Sequence, residues 1–302
     1  MGRGVLFVAL HPGKSRVQYI VYCYASARSL EKTRFGGTVL LTIKEYVRAE
    51  SLEQAYELNQ KKSNLILGGM HWMKMTNRSI GTAIDLSGLG LDHIVERDNA
   101  FEIGCMVTLR QLELHPGLNA LSHNAVAHAV RDIVGVQFRN TATVGGSIFG
   151  RYGFSDVLTI FLALNARVVC HQAGELTLEE YAQMPQDRDI LVKLVVDKIS
   201  LPVSYLAMRH ARTDFPILTC AVSCVGGAWQ AAVGARPYKA ALVRDQAGVL
   251  SGDVTQANAQ RFGEFVAQKL IFGSNMRGSA QYRRQICSVL VQRAVLAANE
   301  VK

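Results

Sequence analysis

The sequence is organised around residues 139–156, which read RNTATVGGSIFGRYGFSD. Two adjacent glycines, Gly145 and Gly146, allow a tight turn in which successive main-chain N–H groups point one way. Such a turn is typical of a cradle for an anion such as a pyrophosphate, with Thr143 and Ser147 as hydroxyl donors beside it. A glycine pair after a polar run is more often an ordinary turn. This stretch alone leaves both interpretations open.

A carboxylate follows the glycine turn at a defined position. Ser155 is a favourable helix N-cap, and Asp156 opens the apolar run 157–162. The pattern therefore predicts that Asp156 lies in the first turn of a helix. A carboxylate at that position suits the hydroxyls of a ribose rather than a phosphate.

A second glycine turn occurs earlier in the chain. The apolar run 65–67 predicts a strand, which breaks into Gly68-Gly69-Met70-His71-Trp72. Two such turns can close on one extended anionic cofactor. The motif G-x-G-x-x-G is absent, so an ordinary Rossmann site is not supported. The parts present suit a dinucleotide whose own ring carries out redox chemistry.

Composition narrows the class of protein. The chain has 302 residues, of which 49% are hydrophobic and 19% charged, which is typical of a globular protein with room for two domains. The net charge of +9 divides into +6 for residues 1–48, −4 for 49–199 and +7 for 200–302. Because the segment with both glycine turns is acidic, the charge does not indicate a nucleic-acid partner. No apolar run is long enough to span a membrane.

The cysteine pattern indicates buried free thiols rather than a metal centre. No C-x-x-C motif occurs, and Cys220 with Cys224 has no second pair to complete an iron–sulfur set. His123 and His128 lack the spacing of helical metal ligands. We therefore expect a reducing, cytoplasmic compartment. The six cysteines are Cys23, Cys105, Cys170, Cys220, Cys224 and Cys287.

Hydrophobic periodicity predicts an α+β fold in three parts. We expect residues 1–39 to form a poorly ordered N-terminal extension, residues 40–200 a first domain and residues 201–302 a second. The second domain is predicted to contain successive antiparallel strands followed by two helices. Between residues 118 and 134 the pattern predicts one continuous helix.

Five motifs in this order resemble the FAD-binding subunit or domain of the molybdopterin dehydrogenases, the family of xanthine dehydrogenase and carbon monoxide dehydrogenase. The resemblance runs from about Leu41 to Ala298. It implies a two-part FAD-binding domain of the PCMH type, followed by a smaller α+β C-terminal domain. The motifs are LILGG at 65–69, IDLSGL at 84–89, FEIGCMVT at 101–108, RNTATVGG at 139–146 with Ser155-Asp156, and MRGSAQYRR at 276–284.

The resemblance also implies a cofactor, partners and site residues. In this family electrons pass from a molybdenum-bound substrate through two [2Fe-2S] clusters to FAD, and then to NAD or another acceptor. The implied partners are a [2Fe-2S] subunit and a molybdopterin-binding subunit. Asp156 would hold the sugar end of FAD, and Arg209 would reach the flavin. The two FAD loops would comprise Leu65, Ile66, Leu67, Gly68, Gly69, Met70, His71 and Trp72, and then Thr143, Gly145, Gly146 and Ser147.

Some positions depart from the family pattern. Met70-His71-Trp72 occupies positions where the family usually has small and polar residues. Ser147 occupies a position where the family often has Asn. Arg151 lies in a segment that usually contains small residues and proline, where it either neutralises a phosphate or faces solvent. Two alternatives follow: a free-standing PCMH-type oxidase with flavin attached covalently at His71, or a non-catalytic assembly subunit that has lost FAD.

Overall fold

The computed structural model describes residues 41–301, and the chain divides into two compact units, Met1–Leu89 and Gly90–Lys302. The extension predicted for residues 1–39 lies outside the described residues. The domain limits predicted from the sequence, 40–200 and 201–302, stay a prediction. Among the described residues, no helix combines the length and apolar character needed to cross a membrane.

The first unit contains a small parallel sheet. Its strands are β1 (Thr42–Arg48), β2 (Leu65–Ile66) and β3 (Ser79–Asp85), in the order β1-β3-β2. All three strands are parallel, with β3 between the other two, and helix α1 (Leu52–Asn59) lies in the crossover from β1 to β2. Ser51 begins this helix by accepting a hydrogen bond from the Gln54 amide over 3.1 Å.

The second unit contains two antiparallel sheets, and the first has five strands. Their order is β4-β5-β8-β6-β7. Strands β4 and β5 form an antiparallel hairpin. The strands are β4 (Ile94–Glu96), β5 (Ala100–Gly104), β6 (Arg167–Cys170), β7 (Gly174–Thr177) and β8 (Leu191–Asp197).

Short helices fill the connection from β5 to β6, and one more lies between β7 and β8. The longest of them, α7, is buried along its whole length and begins at the predicted N-cap Ser155. Thr108 and Thr177 cap α2 and α8 with complete capping boxes. The helices are α2 (Leu109–Leu114), α3 (Pro116–Leu121), α4 (Ala125–Val130), α5 (Val136–Arg139), α6 (Val144–Phe149), α7 (Asp156–Ala163) and α8 (Leu178–Gln183).

The second sheet of this unit has four strands in the order β12-β11-β10-β9. Two C-terminal helices, α9 (Gln256–Lys269) and α10 (Ala280–Asn299), pack with it around one hydrophobic core that includes Phe262, Val291 and Trp229. This succession of strands followed by two helices agrees with the sequence pattern, and the α+β class is confirmed. The strands are β9 (Val203–Met208), β10 (Leu218–Val225), β11 (Ala228–Gly234) and β12 (Ala241–Arg244).

The prediction of a single helix over residues 118–134 is wrong. The chain leaves the helical conformation at His123 and Asn124, whose φ angles are 47° and 64°. Asn119 stabilises the break because its side chain donates to Glu113 O over 2.9 Å and accepts from Ala127 N over 3.1 Å. Side-chain hydrogen bonds of this kind compete with helix continuation.

The described cysteines are free and buried, as the sequence indicated. Burial raises the pKa of Cys105, Cys170 and Cys287 to about 12, so these thiols stay protonated and unreactive at neutral pH. Cys23 lies outside the described residues.

Candidate functional site

The first glycine turn follows the short strand β2. The Leu67 amide still donates to Ile84 O over 2.8 Å, and then the chain turns at Gly69 and Met70, whose φ angles are 76° and 63°. Glycine adopts this left-handed region freely, whereas Met70 is held there at a cost of about 1–2 kcal/mol. The turn is therefore a specific main-chain conformation that the surrounding structure maintains.

The Met70 side chain has a packing role. It lies against the buried cluster of Leu41, Ile43, Ile80 and Ala83 in the first unit. Its carbonyl accepts a hydrogen bond from the Lys74 amide over 3.0 Å. The apolar residue at this position is thus explained by packing, and the main chain of the turn remains half-buried at the surface.

A carboxylate braces the neighbouring end of β3. Asp85 accepts hydrogen bonds from Tyr46 Oη over 2.5 Å and from the Ser87 amide over 2.8 Å. Burial raises the pKa of Asp85, but these hydrogen bonds and the charge of Arg48 outweigh it and lower the pKa overall. Because Ile84 pairs with Ile66, the brace fixes the sheet beside the glycine turn.

The second glycine pair lies in a short helix rather than in a tight turn. Thr143 caps α6 by accepting from the Gly146 amide over 3.1 Å. The Val144 and Gly145 amides donate to Val107 O and Cys105 O over 2.8 and 2.7 Å. The expectation that these N–H groups form an open anion cradle is therefore wrong, since each has an acceptor within the protein.

The two glycines have different roles. A Cβ built on Gly145 would lie 2.7 Å from Cys105 O and 2.8 Å from Cys105 Cβ, so this glycine permits close packing. Gly146 is exposed and Ser147 is half-buried, so a ligand can approach the main chain and one hydroxyl there. Ser155 Oγ donates to Ser147 O over 3.4 Å, which joins this segment to the start of α7.

A buried ion pair holds the segment from its N-terminal side. Arg139 Nε donates to Glu113 Oε2 over 2.8 Å, and its Nη1 donates to Ile133 O over 3.1 Å. Burial raises the pKa of Glu113, but Arg139 and Arg110 outweigh it and hold the pKa below its usual value. The carboxylate is thus ionised, and α5 is fixed to α2.

Asp156 lies at the start of α7 and is 5% exposed. Its Oδ1 accepts from the hydroxyl of Tyr205 and from Arg209 Nη2, the latter over 2.5 Å. Burial raises the pKa of Asp156 to about 6, although both partners act to lower it. The predicted site residues Asp156 and Arg209 are thus in direct contact.

The cluster extends towards the C-terminal motif. Arg209 Nη1 donates to Asp214 O over 2.6 Å, and Arg277 Nη2 lies 3.4 Å from Asp214 Oδ1. The Arg277 guanidinium lies 4.9 Å from the centre of the half-exposed Phe215 ring. The Phe215 ring meets Phe154 edge-on, with a separation of 4.7 Å. The MRGSAQYRR motif therefore contributes to the cluster around Asp156.

Arg151 is buried, so the solvent-facing alternative is wrong. The residue is 6% exposed, its Nε donates to Tyr181 O over 3.0 Å, and its guanidinium lies 4.1 Å from the centre of the Tyr181 ring. Its two terminal nitrogens have no hydrogen-bond partner among the described residues. Burying a guanidinium without these hydrogen bonds costs free energy. The charges of Arg151, Asp187 and Asp189 all act on the pKa of Tyr181, so the three side chains lie in the same region.

These features fit a bound dinucleotide. In the first unit Gly69 presents main chain without a side chain at a half-buried turn, and in the second unit Gly146 does so at an exposed position. The Asp156–Arg209 pair is a further polar feature of the second unit. No group of three His, Cys, Asp or Glu side chains among residues 41–301 is arranged to hold a metal ion. The fold is thus of the α+β class, with two glycine segments that a nucleotide cofactor can approach.

A family model described as the FAD binding domain in molybdopterin dehydrogenase matches residues 40–204, more than half of the chain. The chain belongs to this family. It is therefore an FAD-binding oxidoreductase component of the molybdopterin dehydrogenases.

Individual relatives align with this chain along most of their length. The uncharacterized protein YgfM of Escherichia coli K12 is 26% identical over 258 residues, covering 82% of this chain and 94% of YgfM. The nicotine 6-hydroxylase medium subunit of Paenarthrobacter nicotinovorans is 26% identical over 274 residues, covering 84% and 96%. A carbon monoxide dehydrogenase structure from Hydrogenophaga pseudoflava shares the fold, with a TM-score of 0.75, 22% identity and coverage of 84% and 96%.

Sequence reasoning missed Tyr205 as a partner of Asp156. The signal was present, because Tyr205 and Arg209 lie four residues apart in an extended segment and therefore share a face. It also missed the Asp214–Arg277 contact, which joins residues 63 apart and has no local pattern.

Proposed function

We propose that this chain is the flavin subunit of a multi-subunit molybdenum-containing hydroxylase or dehydrogenase. It accepts electrons from [2Fe-2S] clusters on a partner and passes them to NAD or another acceptor. The supporting observation is the match to a medium subunit over 96% of that subunit's length. The location proposed is the cytoplasm, since free thiols persist in a reducing compartment.

Each predicted segment has a separate task in this proposal. The main chain of residues 65–72 contacts the pyrophosphate, and Gly146 with the Ser147 hydroxyl provides a second contact surface. Arg209 supplies positive charge, and Asp156 and Tyr205 fix its position. When bound, FAD supplies chemistry that connects one-electron iron–sulfur clusters to a two-electron acceptor.

Purification of the full chain from its native host tests the proposal. We expect yellow protein, FAD released into the supernatant on acid precipitation, and co-purifying chains that contain iron–sulfur clusters and molybdopterin. Flavin retained in the pellet would support covalent attachment at His71 instead. Colourless protein that takes up no added FAD would support an assembly subunit.

A further inference from the structure

Exposed hydrophobic side chains surround the loop between α9 and α10. Met276 is 92% exposed, Ile271 71%, Tyr238 53% and Tyr282 39%. We call these four residues the Met276 surface. The loop that carries Ile271 and Met276 lies next to the segment that carries Tyr238. The contact is a hydrogen bond of 2.5 Å from Gly273 N to the carbonyl of Arg236, which precedes Tyr238 by two residues. Clustered apolar exposure on one loop is a feature of binding surfaces.

Hydrogen bonds from a buried arginine hold the loop that carries Met276. Arg283 is 1% exposed and donates to the carbonyls of Ile217 and Gly273 over 2.9 Å each. It also donates to Asn275 Oδ1 over 2.6 Å. Asn275 and Gly278 exchange two main-chain hydrogen bonds of 3.1 Å, with Met276 at the turn between them.

A second buried arginine fixes the start of the loop. Arg236 is 7% exposed, and its Nη1 donates to Ile271 O over 2.9 Å. Two buried guanidinium groups therefore hold the main chain of the loop that carries Ile271 and Met276 in one geometry. Rigidity of this kind lowers the entropy lost when a partner binds, which is how exposed anchor residues achieve affinity.

The charges around this surface indicate the character of its occupant. Residues 265–299 contain five Arg and Lys side chains and no Asp or Glu, although Arg283 is buried and Arg277 pairs with Asp214. Among them, Lys269 and Arg284 are exposed. A symmetric contact with a second copy would bring these like charges together, which is unfavourable. Residues 1–40 carry six basic side chains and one acidic side chain, so this segment is equally unsuitable as the occupant of a basic surface.

We propose that the Met276 surface docks a partner subunit of different sequence, whose contact face presents an apolar recess for Met276 with carboxylates around its rim. This inference rests on the proposed function, since it takes the partner from the same complex. Met276 and Ile271 are the apolar anchors, and Lys269 and Arg284 are the charged rim.

The test uses the purified full chain and the co-purifying subunits, separated and recombined, with binding measured by calorimetry. We expect Met276→Glu to weaken binding at least about 30-fold, as for an interface hot spot. Met276→Leu should bind like the wild type. Val95→Glu, at another exposed hydrophobic residue of the second unit, is the control and should also bind normally.

Fold and flavin content are measured on the same samples. Because Met276 is almost fully exposed, its substitution should leave the unfolding midpoint and the FAD content unchanged. Normal partner binding by Met276→Glu would overturn the inference and leave the proposed function intact. A wild-type chain that binds FAD but neither subunit would overturn both, whereas absence of FAD with intact, Met276-dependent binding would overturn the flavin assignment alone.

Discussion

Arg209 and Asp156, 53 residues apart, form a buried ion pair in which Nη2 lies 2.5 Å from Oδ1. The pair ties the first turn of α7 to the end of β9. A carboxylate that the sequence assigns to a ligand hydroxyl is therefore already bound by groups of the protein itself. We propose that its main effect is to position Arg209.

The first prediction concerns pH. The pKa of Asp156 is raised by burial from 3.8 to about 6, so the folded protein binds this proton more tightly than the unfolded chain does. The free energy of unfolding should therefore fall as pH rises from about 4 to about 6, by on the order of 3 kcal/mol. Urea titrations of wild type and Asp156→Asn measure the difference. A wild type that gains stability relative to the variant over this range would contradict the prediction.

Removal of Arg209 should be strongly destabilising at neutral pH. Arg209→Met leaves the buried Asp156 carboxylate without its cation, and we expect a loss of about 3–5 kcal/mol at pH 7.5. The loss should be smaller at pH 5, where the carboxyl takes up a proton. Arg212→Met is the matched control, because its side chain is 77% exposed in a pair with Asp132. Equal losses in both variants would show that burial does not matter here.

The two glycines of α6 should respond differently to alanine. Gly145→Ala places Cβ 2.7 Å from Cys105 O, so the apoprotein should lose about 1–3 kcal/mol of stability. Gly146→Ala adds its methyl group at an exposed helical position and should keep or slightly increase stability. It should nevertheless weaken FAD binding about tenfold or more in a fluorescence titration. Unchanged affinity would remove Gly146 from the site.

Arg283 and Arg284 are adjacent in sequence but differ in burial. Arg283→Lys leaves several main-chain acceptors without donors, since one ammonium group cannot reach them all, and should cost about 2–4 kcal/mol. Hydrogen exchange in residues 273–278 should rise at the same time. Arg284→Lys, at an exposed position, should leave both measurements unchanged. Similar effects of the two substitutions would contradict the proposed anchoring role.

Local features of this protein could be predicted from the sequence because they depend on neighbouring residues. Ser155 begins α7 where the pattern indicated, and Ser51, Thr108 and Thr177 begin helices in the same way. Each cap is a hydrogen bond to an amide three residues ahead, so a short window of sequence contains both partners. The order of the motifs likewise indicated the family that the model match confirms.

Other features were decided only by tertiary structure, since their partners are distant in the chain. The Gly145 amide is occupied by Cys105, and the Asp156 carboxylate is bound by Tyr205 and Arg209. No window of sequence contains both members of these pairs. The sequence by itself determined which residue types are present and where helices begin. The folded chain decided which polar groups its own atoms already satisfy, and therefore which remain accessible to a ligand.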